Sequence, residues 1–429
     1  MNIIRKTLFI SLLWLAYMVS AQTKSGQVSP ELSYAKPETV GMSAERLDRI
    51  DKMCQASVKD EGVPGIVALV ARNGKIVFHK SYGQSNEKGS TLENDAIFRI
   101  ASQSKAITST AVMMLWEEGL FQLDDPISKY IPEFKAPQIL DKFKYADTTY
   151  TTKDATQEIT IRHLLTHTSG LGYGVIDGDE RMKMIYQKAG ITDLFTTEPI
   201  TIEESVKKLA RLPLHHEPGE KFTYSEGLDV LGYFIEIMSG MKFDVFLRKR
   251  IFDPLEMNDT WFYLPKSKYD RLVDVLKWEE GWKKYPETFY DTDYPKTGAK
   301  TFFSGGAGLS STAKDYATFL QMYLNGGELN GVRLLSRTTV ATIMANQIGD
   351  LWGGDSHYGL AFGVTNEKAI STGGRGSAGT FDWGGYFNTQ YFADPEENVI
   401  GIIMKQTQGP VNDQTRWKFR QLVFQSIDD

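Results

Sequence analysis

Cysteine is nearly absent from this sequence, because Cys54 is the one cysteine among 429 residues. An intramolecular disulfide is therefore excluded, and with it the class of small disulfide-stapled domains. Cys54 continues a helical pattern of apolar residues, which predicts a packed thiol rather than a nucleophile. Runs of basic residues are lacking as well: 48 Lys and Arg stand against 54 acidic residues, a formal net charge of -6. We therefore expect no binding to nucleic acid.

Long apolar runs are also lacking, except at the N-terminus. There, residues 8–19 are apolar, follow Arg5 and Lys6, and lead to small side chains ending at Ala21. A positive start, a run too short for a comfortable membrane span and a small-residue site are typical of a secretory signal peptide. We predict a signal peptide over residues 1–21, cleaved after Ala21, and a periplasmic or secreted protein with no stable membrane insertion. The alternative is an uncleaved anchor.

β-rich runs lie near both ends of the chain. Residues 66–70 and 76–78 flank Asn73-Gly74, and this pattern predicts a hairpin because both turn residues tolerate positive φ. Two further strands are predicted at residues 380–392 and 399–405. Between the two ends, residues 106–116 are apolar almost all round, which predicts a buried helix.

Strands at both ends with helices between them predict an α+β fold. In this arrangement an antiparallel sheet is flanked by helices, and a mostly helical subdomain is inserted between its halves. The α/β part covers about residues 40–130 and 300–429, and the helical insertion covers about 131–299. Together they form one domain over residues 22–429. A cleft is expected where such parts meet.

A Ser-x-x-Lys pattern opens the predicted buried helix at Ser102 and Lys105. A step of three residues puts both side chains on one helix face, and the helix dipole favours negative charge developing at its start. A lysine among apolar neighbours loses hydration, which lets its amine accept a proton. The same pattern occurs elsewhere in the chain in polar contexts, so the spacing alone also fits an N-cap serine with a surface lysine.

Several segments resemble the serine β-lactamase-like hydrolases, which include penicillin-binding proteins, class C β-lactamases and related carboxylesterases. The resemblance extends over roughly residues 40–410. Its motifs stand in the order and spacing of that family, at residues 98–105, 160–171, 222–225, 305–309 and 383–385. The family implies a β-lactamase/transpeptidase-like fold.

The resemblance also implies roles for individual residues. Ser102 is similar to the nucleophile that forms an acyl-enzyme, and Lys105 to its proton-relay partner. Tyr224 is similar to the tyrosine that accepts or relays the proton, and which of Lys105 and Tyr224 is the base stays open. The backbone N–H groups of Ser102 and Tyr386 would form the oxyanion hole, where each donor contributes a few kcal/mol.

Trp383, Gly384 and Gly385 correspond to the family's Lys-Thr-Gly strand and are predicted to bind substrate. Glycine lets a strand backbone approach the substrate closely. Trp383 replaces a lysine that would attract a carboxylate, and Glu226 replaces an asparagine and would repel an anion if it faced the cleft. Both changes favour esters with neutral acyl groups. The aromatic loop at residues 278–294 either lines a pocket or is a solvated insertion.

These observations predict a serine hydrolase, most simply a carboxylesterase on small or medium acyl esters. The alternatives are a D,D-peptidase, D-amino-acid peptidase or weak β-lactamase, and a non-catalytic β-lactam or cell-wall sensor. The expected partner is a small-molecule ester or amide, with no cofactor. His163 and His167 stand four residues apart but have no third ligand beside them, so no metal site is predicted.

Overall fold

The computed structural model describes residues 25–26, 28–60, 62–192, 194–288, 290–408 and 413–429. The predicted signal peptide, residues 1–21, lies outside the described residues. Within these described ranges, no helix combines the length and the apolar character that a membrane crossing requires.

Eight of the described strands form one sheet in the order β1-β3-β2-β8-β7-β6-β5-β4. The strands are β1 (Ser33–Tyr34), β2 (Gly65–Arg72), β3 (Lys75–Gly83), β4 (Ser356–Tyr358), β5 (Gly363–Thr365), β6 (Phe381–Gly385), β7 (Thr389–Asp394) and β8 (Val399–Met404). Every pair is antiparallel except β1 with β3. The two ends of the chain meet where β2 pairs with β8, with Leu69 opposite Ile402. The predicted α+β fold is confirmed.

The predicted N-terminal hairpin is present, with Asn73 at φ 52° and Gly74 at φ 73° between β2 and β3. The prediction of one long strand over residues 380–392 is wrong. β6 and β7 are separate strands joined by a turn in which Asn388 takes φ 75°. Apolar residues continue through this turn, so the pattern of apolar residues did not indicate that the strand ends there. Asn388 was a possible signal, because asparagine tolerates positive φ.

Helices cover the sheet and fill the middle of the chain. They are α1 (Ala44–Asp60), α2 (Ser104–Glu117), α3 (Ile161–Leu165), α4 (Glu180–Ala189), α5 (Ile202–Leu209), α6 (Gly227–Ser239), α7 (Phe243–Leu247), α8 (Tyr294–Thr297), α9 (Ala313–Leu324), α10 (Arg337–Met344), α11 (Lys368–Thr372) and α12 (Thr415–Phe424). Short 3-10 turns lie at Pro37–Val40, Ala101–Gln103, Ile127–Lys129, Pro132–Phe134 and Lys266–Arg271, and a π-helical turn lies at Arg248–Phe252.

Strand β2 is buried along its whole length because helices cover both of its faces. Successive side chains of a strand point to opposite faces. Ile66 and Val70 accordingly join one apolar cluster with α1 and α12, while Val67 and Leu69 join a second cluster that contains α2 and α9. This burial on both faces explains the uninterrupted apolar run in the sequence.

Between the sheet-forming segments, helices α3 to α8 are accompanied by two small hairpins. One hairpin pairs Gln138–Lys144 with Thr149–Asp154, and the other pairs Leu276–Trp278 with Trp282–Lys284. Helix α2, which is buried from Ser104 to Leu115, packs against α6 of this middle segment. The start of α2 therefore lies where the sheet, α6 and the middle segment meet.

Candidate active site

The segment that carries Ser102 is held between two other parts of the chain. Phe98–Arg99 pairs with Ser310–Ser311, and the Ile100 N–H donates to the Leu309 carbonyl at 3.0 Å. Ala101 then takes φ 44°, a conformation that costs energy for a residue with a Cβ and persists only where the surroundings impose it. Ser102 lies half-buried in the 3-10 turn that precedes α2. This turn runs directly into α2, so Ser102 and Lys105 lie at the start of the buried helix, as predicted, with Ser102 just before its α-helical part.

Lys105 is 1% exposed and lies one turn after Ser102. Its Nζ is 3.5 Å from Ser102 Oγ, 2.8 Å from the Tyr173 hydroxyl and 2.7 Å from the Gly306 carbonyl. The carbonyl can only accept, so Nζ donates to it. Three polar partners in a buried site fix the amine next to the Ser102 hydroxyl.

Tyr224 completes the predicted trio. The Lys105 Nζ lies 4.5 Å from the centroid of the Tyr224 ring. The ring is also 6.0 Å from the Trp383 ring and 5.5 Å from the Tyr173 ring, centroid to centroid. The structure thus brings the hydroxyl and the amine of one helical turn together with a phenol ring from a distant part of the sequence.

The segment Trp383-Gly384-Gly385 forms the end of β6 next to the Ser102 segment. A Cβ on Gly385 would lie 2.4 Å from the Ile100 carbonyl oxygen, whereas one on Gly384 would meet its nearest atom at 3.4 Å. The requirement for glycine is therefore strict at Gly385 and weaker at Gly384. Tyr386 follows directly, and its carbonyl accepts a hydrogen bond from Gln408 Nε2 at 3.0 Å.

A cavity of about 430 Å³ opens at this cluster. One part of its wall is aromatic, with Phe222, Tyr224, Trp352 and Trp383, and Ser102 borders the same space. Charged side chains form another part of the wall: Arg375, Asp382 and Arg416. A cavity of this size, apolar with a few convergent polar groups, is typical of a small-molecule site.

Glu226 does not border this cavity. It is 2% exposed, and its backbone N–H donates to the Gly172 carbonyl at 3.1 Å. The predicted repulsion of anions by Glu226 depended on a position facing the cleft, and the structure does not show that position. The substitution of asparagine by glutamate therefore says little about the charge of the substrate.

Sequence reasoning missed Tyr173 and Asp229. Tyr173 stands two residues after the motif at residues 160–171, and its hydroxyl contacts Lys105 Nζ. Asp229 Oδ1 accepts from Ser304 Oγ at 2.7 Å and from the Gly306 N–H at 3.0 Å, so it supports the loop whose carbonyl binds Lys105. The sequence did contain a signal for Asp229, because an acidic residue among the apolar residues of helix α6 is unusual unless it has a buried partner.

The two histidines considered as metal ligands both bind protein groups. His163 Nδ1 accepts from the Thr160 N–H in a capping box, and His167 Nδ1 accepts from the Ser225 N–H at 3.2 Å. Burial and the positive charge of Lys105 hold the pKa of His167 well below its ordinary value, so its ring is neutral. In the part of the chain that is described, no three His, Cys, Asp or Glu residues are grouped as metal ligands would be.

One part of the aromatic loop at residues 278–294 is buried near the site, and another part is exposed to solvent. Tyr290 and Tyr294 are buried in a cluster that also contains Ala101 and Phe387, so this part supports the Ser102 segment and the end of β6. Trp278 is 60% exposed at the other end of the loop. The loop is therefore part support for the site and part solvated hairpin.

A serine hydroxyl beside a buried lysine amine and a tyrosine ring, at one cavity, is an arrangement suited to nucleophilic catalysis. The comparison with protein families agrees, since the model described as Beta-lactamase matches residues 50–425. The chain belongs to the β-lactamase family, and it is an enzyme of the serine hydrolase type.

Individual proteins are similar to this chain over most of its length. The chain is 32% identical over 371 residues to Protein Rv1367c of Mycobacterium tuberculosis, with 82% of this chain and 89% of that protein covered. It is 30% identical over 375 residues to Esterase EstB of Burkholderia gladioli, with 84% and 90% covered. Among solved structures, EstCE1, "a hydrolase with promiscuous acyltransferase activity", has a TM-score of 0.72 at 24% identity, with 90% and 98% covered. The last similarity supports the fold.

Proposed function

We propose that this protein is a carboxylesterase that hydrolyses small or medium acyl esters through an acyl-enzyme on Ser102. The observation that carries the proposal is that the buried Lys105 Nζ lies 3.5 Å from Ser102 Oγ and 4.5 Å from the Tyr224 ring centroid, while Ser102 and Tyr224 line one cavity. Similarity to a protein named Esterase EstB supports the same activity.

In this mechanism Ser102 Oγ attacks the ester carbonyl while Tyr224, together with Lys105, removes the hydroxyl proton. The same pair returns the proton to the leaving alcohol, and water then repeats the sequence on the acyl-enzyme. The buried contacts of Lys105 to Tyr173 and Gly306 support this role because they fix the amine before substrate arrives.

The backbone N–H groups of Ser102 and Tyr386 are proposed to bind the oxyanion of the tetrahedral intermediate. The close approach of Gly385 to the Ile100 carbonyl supports this assignment, because it brings the end of β6 against the nucleophile segment. Each fixed donor of this kind contributes about 3–4 kcal/mol to acyl transfer.

The aromatic wall of the cavity is proposed to accept the apolar part of the ester. Trp383 stands where penicillin-recognising relatives carry a lysine, and its ring packs against those of Tyr358 and Trp352 at 5.4 and 6.0 Å between centroids. This rigid apolar surface supports an esterase over an enzyme that attracts a carboxylate at that strand.

The test is hydrolysis of 4-nitrophenyl acetate, 4-nitrophenyl butyrate and a chromogenic cephalosporin by the intact protein, Ser102→Ala and Ser104→Ala. Ser104 is the matched control because its buried hydroxyl accepts the Leu309 N–H at 3.1 Å, away from Lys105 Nζ. We expect ester hydrolysis to fall by about 10³-fold or more in Ser102→Ala and to persist in Ser104→Ala.

Three outcomes would overturn the proposal in different ways. Full ester hydrolysis by Ser102→Ala would refute the site. A cephalosporin rate above the ester rates would favour a β-lactamase or peptidase. One equivalent of product and a permanently modified Ser102 would indicate a sensor that does not turn over.

A further inference from the structure

An acid and a histidine form a pair beside the candidate active site that the proposed mechanism does not use. Asp177 and His215 border a second cavity, of about 340 Å³. This cavity shares Phe222 and Tyr224 with the cavity at Ser102. Neither member of the pair borders the Ser102 cavity itself. The pair therefore lies next to the catalytic cluster without bordering the space where the ester is proposed to bind.

The two side chains are joined by a hydrogen bond of 3.0 Å between His215 Nε2 and Asp177 Oδ2. Asp177 is 8% exposed, and two backbone N–H groups also donate to it, that of Tyr173 to Oδ2 and that of Asp179 to Oδ1, both at 2.8 Å. Burial raises the pKa of Asp177, but the hydrogen bonds outweigh burial and hold this pKa below its ordinary value. A carboxylate can only accept, so Nε2 of His215 carries a proton and donates it.

The pair is fitted closely against the loop that precedes Tyr173. The His215 N–H donates to the Gly170 carbonyl at 2.7 Å. A Cβ on Gly172 would lie 2.5 Å from His215 Nε2 and closer still to Asp177 Oδ2, so this position leaves room for the pair only as glycine. The backbone on the N-terminal side of Tyr173 is thus fixed by the pair.

Tyr173 connects the pair to the catalytic amine. Its N–H is bound by Asp177, and its hydroxyl lies 2.8 Å from Lys105 Nζ. The other close contacts of this amine are the Gly306 carbonyl at 2.7 Å and Ser102 Oγ at 3.5 Å. A shift of the Tyr173 backbone would therefore move its hydroxyl relative to Nζ and remove one of the contacts that fix the amine beside the nucleophile.

We propose that Asp177 and His215 are positioning residues for the hydrolysis, and that they act on Lys105 through the Tyr173 hydroxyl. This inference rests on the proposed function, because it concerns the lysine that helps to remove the Ser102 proton. The carboxylate holds the Tyr173 N–H, and the histidine holds the carboxylate. Groups that are fixed in this way keep the catalytic geometry before substrate arrives, and a misplacement of about 1 Å costs about 100-fold in rate.

The first experiment measures kcat and KM on 4-nitrophenyl acetate for Asp177→Asn, His215→Leu and His215→Gln. Asp177→Asn replaces an accepting oxygen by a donating amide, so it cannot bind all three N–H groups that the carboxylate binds. We expect kcat to fall about tenfold in Asp177→Asn and in His215→Leu, with KM changed by less than about twofold. His215→Gln should recover most of the kcat, because the glutamine amide supplies an N–H donor in place of Nε2.

His79→Leu is the matched control for the histidine variants. His79 is also half-buried, and its ring is hydrogen-bonded to the Tyr34 hydroxyl at 2.8 Å. It lies on β3 and outside both cavities, so we expect its kcat to equal that of the intact protein. A kcat of His215→Gln as low as that of His215→Leu would overturn the role given to the His215 N–H.

A double-mutant cycle separates positioning through Tyr173 from a merely structural role. Tyr173→Phe already lacks the hydroxyl through which the pair is proposed to act. We therefore expect Asp177→Asn to lower kcat about tenfold in the intact protein but less than about twofold in the Tyr173→Phe background. An equal fall in both backgrounds would overturn the inference, and so would full kcat in Asp177→Asn and His215→Leu. If circular dichroism shows that Asp177→Asn is unfolded, the same cycle is run with His215→Leu and has the same two outcomes.

Failure of the proposed function would be seen differently. The rate at which a fluorophosphonate labels Ser102 depends on activation of the hydroxyl and not on ester turnover, so the cycle is repeated with this rate. We expect the same pattern as for kcat, and an equal fall in both backgrounds would again overturn the inference. Ester hydrolysis that is absent from the intact protein, or retained by Ser102→Ala, would instead refute the proposed function and leave the labelling result standing.

Discussion

Adding one methyl group at Gly385 should disable the enzyme while leaving it folded. The Cβ of Gly385→Ala would lie 2.3 Å from Thr389 Oγ1 and 2.4 Å from the Ile100 carbonyl oxygen. The threonine hydroxyl can rotate, but the carbonyl belongs to the backbone two residues before Ser102. Since an ordinary contact needs about 3.4 Å, the nucleophile segment and the end of β6 must separate by about 1 Å.

A displacement of that size in a reacting group lowers kcat by about 100-fold. Strain in the packed site should reduce the free energy of unfolding by about 1–3 kcal/mol. The assay is kcat on 4-nitrophenyl butyrate at saturating substrate, with urea unfolding to show that the variant is folded.

Gly384→Ala is the matched control, because it adds the same methyl group where the nearest atom lies at 3.4 Å. Gly384 borders the cavity, so we expect a modest rise in KM and a much smaller fall in kcat. If folded Gly385→Ala keeps the kcat of Gly384→Ala, the proposed approach of β6 to the nucleophile is not catalytically important.

Three further substitutions test contacts of Lys105, of the loop that binds it and of a buried acid outside the site. Tyr173→Phe removes the hydroxyl 2.8 Å from Lys105 Nζ and should lower kcat about 10- to 100-fold with an unchanged circular dichroism spectrum; an unchanged kcat would contradict its positioning role. Asp229→Asn keeps an acceptor for the Gly306 N–H but replaces one carboxylate oxygen by an amide donor, so kcat should fall at least tenfold. Full activity of this variant would show that the carboxylate is not required. Burial raises the pKa of Asp315 to about 6, so its contribution to stability is present below the ordinary value and lost as the pH rises through 6. Asp315→Asn should therefore exceed the intact protein in stability by about 1–3 kcal/mol at pH 7.5 and not at pH 4.5 in urea unfolding, and a less stable variant at pH 7.5 would refute this reasoning.

Sequence patterns predicted the strands of the sheet where the structure depends on residues that are close in the sequence. The Asn73-Gly74 turn and the apolar run of β2 each have a cause within a few residues, namely positive φ and burial on both faces. The break between β6 and β7 was not predictable in this way, because Phe387 is apolar and buried although it stands in a turn.

The candidate site was predictable only as far as its motifs extend. Ser102, Lys105 and Tyr224 stand in segments that resemble a known family, and the structure places them together. Tyr173 and Asp229 lie outside those segments, and their roles depend on which distant residues they contact in the folded chain. Glu226 lies next to a motif residue, but the sequence could not show whether its side chain faces the cavity.

Whether Ser102 is the nucleophile can be determined by labelling the protein with a fluorophosphonate probe. We expect one probe per chain, located by peptide mass mapping on Ser102, with no labelling of Ser102→Ala and normal labelling of Ser104→Ala. Labelling at another residue, or undiminished labelling of Ser102→Ala, would contradict it.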